Sequence, residues 1–133
     1  MRWTIGEAAI RSGCPASTIR YYERIGLLAP PMRGDNGYRY YDDAALDRLA
    51  FVHRARTLGF GLEAVADLLR LADHPNEPCD GVDRLVAAQL SAIRERVAQL
   101  RRLEHELLAL QTACDGGHEM RECGILEALS RDN

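Results

Sequence analysis

The stretch 81-GVDRLVAAQLSAIRERVAQLRRLEHELLALQTA-113 decides the architecture of this chain. Val82, Val86, Leu90, Ile93, Val97, Leu100, Leu107 and Leu110 recur on a three-to-four-residue period, and neither Pro nor Gly follows Gly81 within it. That period predicts one long amphipathic helix, with Glu95, Arg96, Arg101, Arg102 and Glu106 mostly on its solvated side. Cys79 stands just before the helix and Cys114 just after it. At a rise of about 1.5 Å per residue the two thiols lie roughly 50 Å apart, so no single ion can touch both within one straight chain. Two copies running antiparallel would bring each Cys79 beside the other copy's Cys114. The expectation is a homodimer joined by an antiparallel coiled coil, with a sensing site at each end.

Upstream, Thr4 with Glu7 three residues later forms a capping box that opens a short helix expected to turn Ile5, Ala8, Ala9 and Ile10 inward. Ser12 and Gly13 end it. Pro15 and Ala16 then lead into a second helix over residues 17–25, with Pro15 in its first turn and Gly26 stopping it. Helix, short turn and helix is the helix-turn-helix pattern. Asp35-Asn36-Gly37 is a turn signal, and Tyr38-Arg39-Tyr40-Tyr41 after it is strand-prone, which predicts a small hairpin, or wing. A third helix capped by Asp42 or Asp43 runs to about Leu58, where Gly59 and Gly61 break it, a fourth spans 62–71, and Asp73–Pro78 reads as a hinge loop. Downstream of the long helix, Asp115-Gly116-Gly117 is a turn, and Ile125, Leu126 and Leu129 mark a short terminal helix. The expected fold is mainly α: a winged helix-turn-helix head with a second helix pair (1–72), a hinge (73–80), a dimerisation helix (81–113), and a metal-binding loop with a terminal helix (114–133).

The 133 residues carry a formal net charge of -3, which alone argues against nucleic acid. The distribution reverses that inference: residues 1–41 hold six Arg against three acids, and the chain from Ala72 onward holds seven Arg against twelve acids. A basic front on an acidic rear fits a nucleic-acid head on a different module. All seventeen basic residues are Arg, a bias that reads as genome base composition. No apolar run reaches membrane-spanning length and the N-terminus lacks a signal peptide's apolar core. The expected location is the cytoplasm, with no membrane partner. There the four cysteines read as reduced, metal-binding or redox-active rather than disulfide-bonded. No Ser/His/Asp or Cys/His pairing and no phosphate-binding Gly loop is present, so no enzyme is expected.

Ser17, Thr18, Arg20 and Tyr21 open the second helix, where a recognition helix meets the major groove. Arg20 can take two guanine acceptors or grip a phosphate. Arg33, Tyr38, Arg39 and Tyr41 can hold the DNA backbone. Cys14, in an apolar slot of the helix-turn-helix, is assigned to the core.

Ile5-Gly6-Glu7-Ala8-Ala9, Thr18-Ile19-Arg20-Tyr21-Tyr22-Glu23, Gly26-Leu27-Leu28, Gly37-Tyr38-Arg39-Tyr40-Tyr41 and Leu58-Gly59-Phe60, in that order, resemble the MerR family of bacterial transcriptional regulators. The resemblance covers nearly the whole chain. It implies a dimer held by a long antiparallel coiled coil, and DNA contacts from Ser17, Arg20, Tyr21, Arg33, Tyr38, Arg39 and Arg56. It further implies a promoter with an overlong spacer, which the regulator bends and untwists on metal binding so that RNA polymerase engages both promoter elements.

Cys79, Cys114 and Cys123 offer thiolates, which favour soft ions. Cys114 and Cys123 bracket eight residues that include two Gly, enough slack to fold round an ion. The site would take these two from one subunit and Cys79 from the other. Relatives that sense monovalent copper, silver or gold have Ser at the position of Cys79, so this chain resembles the divalent subgroup. The loop and the Gly124-Ile125-Leu126 that follows are most similar to lead and cadmium sensors. Zinc sensors carry a second Cys where Asp115 stands and a His near His118, so Pb(II), Cd(II) and Zn(II) all stay open, with His118 as an extra ligand in the zinc case. A thiol redox sensor pairing Cys114 with Cys123 is the alternative.

Overall fold

The computed structural model describes residues 1–113, 116, 117 and 119–131. These fold mainly as helices, arranged in two compact units, Met1–Leu85 and the remainder from Val86.

In the first unit α1 (Ile5–Ser12) begins at the capping box: the Glu7 amide donates to Thr4 Oγ1 at 3.2 Å and the Thr4 amide to Glu7 Oε1 at 3.0 Å. Gly13 closes it with φ 79°, a left-handed conformation that costs Gly nothing. The helix α2 (Ala16–Arg24) follows. Pro15 occupies its N-cap position, one residue earlier than the sequence suggests. Strands β1 (Met32–Arg33) and β2 (Arg39–Tyr40) pair antiparallel, Met32 opposite Tyr40 and Arg33 opposite Arg39. Tyr41 continues the ribbon by bridging to Trp3. Asp42 caps α3 (Asp43–Thr57) by accepting from the Ala45 amide, and α4 (Leu62–Ala72) starts at Gly61, which has no side chain to offer.

Ala8, Ile19, Tyr22, Leu28, Tyr41, Leu49, Val52, Val65 and Leu69 are buried together and hold α1 to α4 in one core. Cys14 belongs to it, 2 % exposed, with its thiol directed at the Leu49 carbonyl. Burial pushes that thiol's pKa up, which keeps it protonated and inert. Ile10 departs from its expected place: it is 85 % exposed, because α1 packs against α2 and α3 through the face that carries Ala8.

The long helix α5 spans Asp80–Thr112. Its first residues pack on the head, with Val82 and Leu85 against the core. Gly81 allows the approach, since a Cβ there would stand 3.2 Å from Leu71 Cδ1. In the second unit no residue of α5 is fully buried. Val86, Leu90, Ile93, Val97, Leu100, Leu103 and Leu107 are all 40–65 % exposed. A one-turn 3-10 helix (Met120–Glu122), not foreseen from the sequence, and α6 (Gly124–Ser130) complete the described chain. A Cβ on Gly124 would stand 2.2 Å from the Ala113 carbonyl oxygen, so the amino end of α6 meets the end of α5 backbone to backbone.

Candidate nucleic-acid interface and metal-ligating cysteines

The helix-turn-helix leaves one side of α2 outside the core. Ile19 and Tyr22 point in, while Ser17, Arg20 and Tyr21 are exposed, as the recognition-helix reading requires. Arg24 lies over the Tyr21 ring at 5.3 Å, a cation–π contact that stiffens this face. On the wing, Tyr38 is 75 % exposed at the tip. Arg33 Nη1 donates to the Gly37 carbonyl at 2.9 Å and clamps the hairpin while its other donors face out. Arg39 lies directly across the ladder from Arg33, and its Nη1 reaches Glu23 Oε2 at 3.3 Å. Arg56, at the end of α3, donates to the Phe60 carbonyl at 2.9 Å and so braces the turn into α4.

Tyr41 corrects the sequence reading. It is 4 % exposed, and its hydroxyl donates to Glu23 Oε1 instead of facing DNA. Burial, then the Glu23 hydrogen bond and charge, hold its pKa well above the usual phenol range. Glu23 itself was visible only as part of a motif, and nothing in the sequence spacing marks it as a junction between helix and wing.

Cys79 is exposed just before α5. Its carbonyl accepts from the Asp83 amide at 3.0 Å, so it forms the start of the first turn. Its thiol lies 3.8 Å from Asp83 Oδ2. Cys123 is partly buried and stands at the N-cap position of α6. Cys114 and His118 lie outside the described residues. Among the described residues no three metal-ligating side chains of one chain converge. Cys79 stands at the start of α5 and Cys123 at the start of α6.

Residues 3–72 match the family described as MerR HTH family regulatory protein, and residues 46–110 match that described as MerR, DNA binding. The chain belongs to the MerR family. It is therefore a DNA-binding transcriptional regulator and not an enzyme, of a family that binds promoter DNA as homodimers. It is 41 % identical over 126 residues to the HTH-type transcriptional regulator HmrR of Rhizobium leguminosarum bv. viciae, covering 95 % of this chain and 96 % of that one. It is 35 % identical over 131 residues to the mercuric resistance operon regulatory protein of Bacillus cereus, covering 98 % and 99 %. Among solved structures it is similar to the transcription regulator PbrR691 of Ralstonia metallidurans CH34 in complex with lead(II), with TM-score 0.84, 39 % identity, and coverage of 96 % and 99 %. These relatives place it among metal-responsive regulators. Among the described residues no helix is long and apolar enough to cross a membrane.

Proposed function

We propose that this regulator responds to a divalent soft ion, Pb(II), Cd(II) or Zn(II). Cys79 of one subunit and Cys114 and Cys123 of the other would hold it. The observation that carries the reading is the exposed Cys79 thiol at the start of a helix whose apolar stripe is left open for a second copy. Three thiolates leave a divalent ion with one net negative charge, a donor set suited to borderline and soft cations. A relative crystallised with lead(II) that matches nearly end to end supports the choice. In this reading residues 1–72 are the DNA-binding head, 73–80 the hinge, 81–113 the dimerisation helix and 114–133 the metal loop. Ser17, Arg20, Tyr21, Arg33, Tyr38, Arg39 and Arg56 meet DNA, and His118 adds a ligand where the ion is zinc. The bound ion favours one arrangement of the two heads over another, distorting the promoter so that RNA polymerase engages it. It can do this only through unequal affinity for the two arrangements.

Titration of the purified dimer with each ion, read by thiolate charge-transfer absorbance and by competition, tests the assignment. Cys79→Ser is expected to abolish the divalent response while leaving DNA binding intact. A response to oxidant alone, with Cys79→Ser tolerated, would instead establish a redox pair of Cys114 and Cys123.

A further inference from the structure

Glu23 sets a carboxylate into the face that must meet phosphates, and its side chain is only 8 % exposed. Unanswered, it would subtract from the attraction for DNA. It is answered twice, by the Tyr41 hydroxyl on Oε1 and by Arg39 on Oε2. Tyr41 is itself fixed: its amide donates to the Trp3 carbonyl and the Trp3 amide donates back, both at 2.8 Å. The last turn of α2, the end of the wing and the N-terminal segment therefore meet at one buried carboxylate.

The wing has its own electrostatic problem. Arg33 and Arg39 face each other across a two-stranded ladder, a pairing of like charges that destabilises a sheet. Each guanidinium is drawn off differently, Arg33 toward the hairpin tip and Arg39 toward α2. Arg39 keeps 37 % of its side chain exposed, and a guanidinium has five donors, so one edge is anchored and the others stay open.

We propose that Glu23 is a positioning residue for DNA binding: with Tyr41 it locks the wing to the recognition helix and aims the open edge of Arg39 at a phosphate, trading attraction for direction. This rests on Arg39 meeting DNA, as proposed above.

The test uses the full-length dimer as wild type, Glu23→Gln, Tyr41→Phe, Arg39→Gln and the double variant Glu23→Gln/Arg39→Gln. Two DNA probes are needed: a duplex selected by the wild-type protein from a random-sequence pool, and poly(dI-dC). Anisotropy is read across a salt series, with thermal melts to confirm folding. Glu23→Gln is expected to weaken binding to the selected duplex by about tenfold, the scale of a lost charged hydrogen bond, without weakening binding to poly(dI-dC). Tyr41→Phe should do the same to a smaller degree. Arg39→Gln should weaken both probes and reduce the salt slope by about one, and Glu23→Gln should cost nothing further in that background. Equal loss on both probes, tighter binding to both, or additivity in the double variant would overturn the proposal. Arg39→Gln without effect would overturn the underlying contact as well; Arg39→Gln weakening both probes while Glu23→Gln leaves both unchanged would overturn the positioning role alone.

Discussion

Replacing Ile93 by Asp tests whether the open stripe of α5 is the dimer seam and which way the two copies run. If Cys79 of one copy is to meet Cys114 of the other, the antiparallel register is fixed. It sets Val86 opposite Leu107, Leu90 opposite Leu103 and Ile93 opposite Leu100, with Val97 near the two-fold axis. Every one of these positions is apolar, so the stripe is self-complementary in the register the cysteines demand. Ile93 is 45 % and Leu100 54 % exposed in the single chain. Full burial of such side chains gives roughly 1.5–3 kcal/mol each, so covering the remaining half is worth about 1 kcal/mol per residue. Ile93→Asp removes that twice by symmetry and presses two carboxylates against leucine, at about 1–3 kcal/mol each. The total of about 5 kcal/mol raises the dimer dissociation constant by more than three powers of ten. Sedimentation equilibrium at micromolar protein should show monomer, and operator affinity should fall with it. Glu95→Ala, on the opposite side of the helix, should change neither. Adding Leu100→Lys to Ile93→Asp should restore part of the dimer, because the new charges meet across the seam only when the helices run antiparallel. A fully dimeric Ile93→Asp, or a double variant no better than the single one, would refute the reasoning.

Other consequences follow from the same structure. Gly124→Ala places a Cβ 2.2 Å from the Ala113 carbonyl oxygen, so the amino end of α6 must move and carry Cys123 with it. Metal affinity should fall about tenfold or more, with metal-free DNA binding unchanged, as read by ion competition and anisotropy. Ile19→Ala empties a fully buried site on the recognition helix and should cost roughly 2–5 kcal/mol in urea unfolding. Tyr41 gives an alkaline signature. Its pKa is raised on folding, so the folded state holds the proton more tightly, and its stabilisation is complete below the ordinary phenol value of 10.0 and is lost as pH rises beyond it. Melting temperature should therefore drop between pH 9 and 11, and drop less steeply in Tyr41→Phe.

The helical skeleton was legible because each element announces its ends locally. Thr4 with Glu7, Asp42 and the breaks at Gly13, Gly59 and Gly61 bound α1, α3 and α4 to within a residue or two. The turn at Asp35-Asn36-Gly37 likewise located the wing. Burial was less legible. Ile10 fits the apolar period of α1 but lies beyond the width of the face that packs, and Tyr41 shares its tyrosine run with the exposed Tyr38. Strand alternation sets the two tyrosines on opposite faces without saying which face is buried; the bridge to Trp3 decides that, and it depends on a pairing nearly forty residues long. Glu23 and Gly124 escaped for the same reason. Their roles lie in what they meet from elsewhere in the chain, a wing arginine in one case and a helix end in the other.

How a chain of net charge -3 grips a polyanion is answered by where its charges are spent. In the head several acids are turned to structural work: Glu7 closes a capping box, Asp42 caps α3 and Glu23 holds Arg39 and Tyr41. The basic residues do structural work without surrendering their exposure. Arg24 covers Tyr21, and Arg2 and Arg11 set their guanidinium carbons 4.3 Å and 3.7 Å from the ring centres of Tyr40 and Trp3. Arg33, Arg39 and Arg56 each commit one nitrogen to an internal acceptor. A lysine has three donors but no flat face and no rigid fork, so it braces the fold and reaches a phosphate at once less effectively. The absence of lysine first reads as base composition, yet in the head it has a structural consequence: arginines hold the scaffold with one part of the guanidinium and leave the rest open for the DNA contacts proposed above.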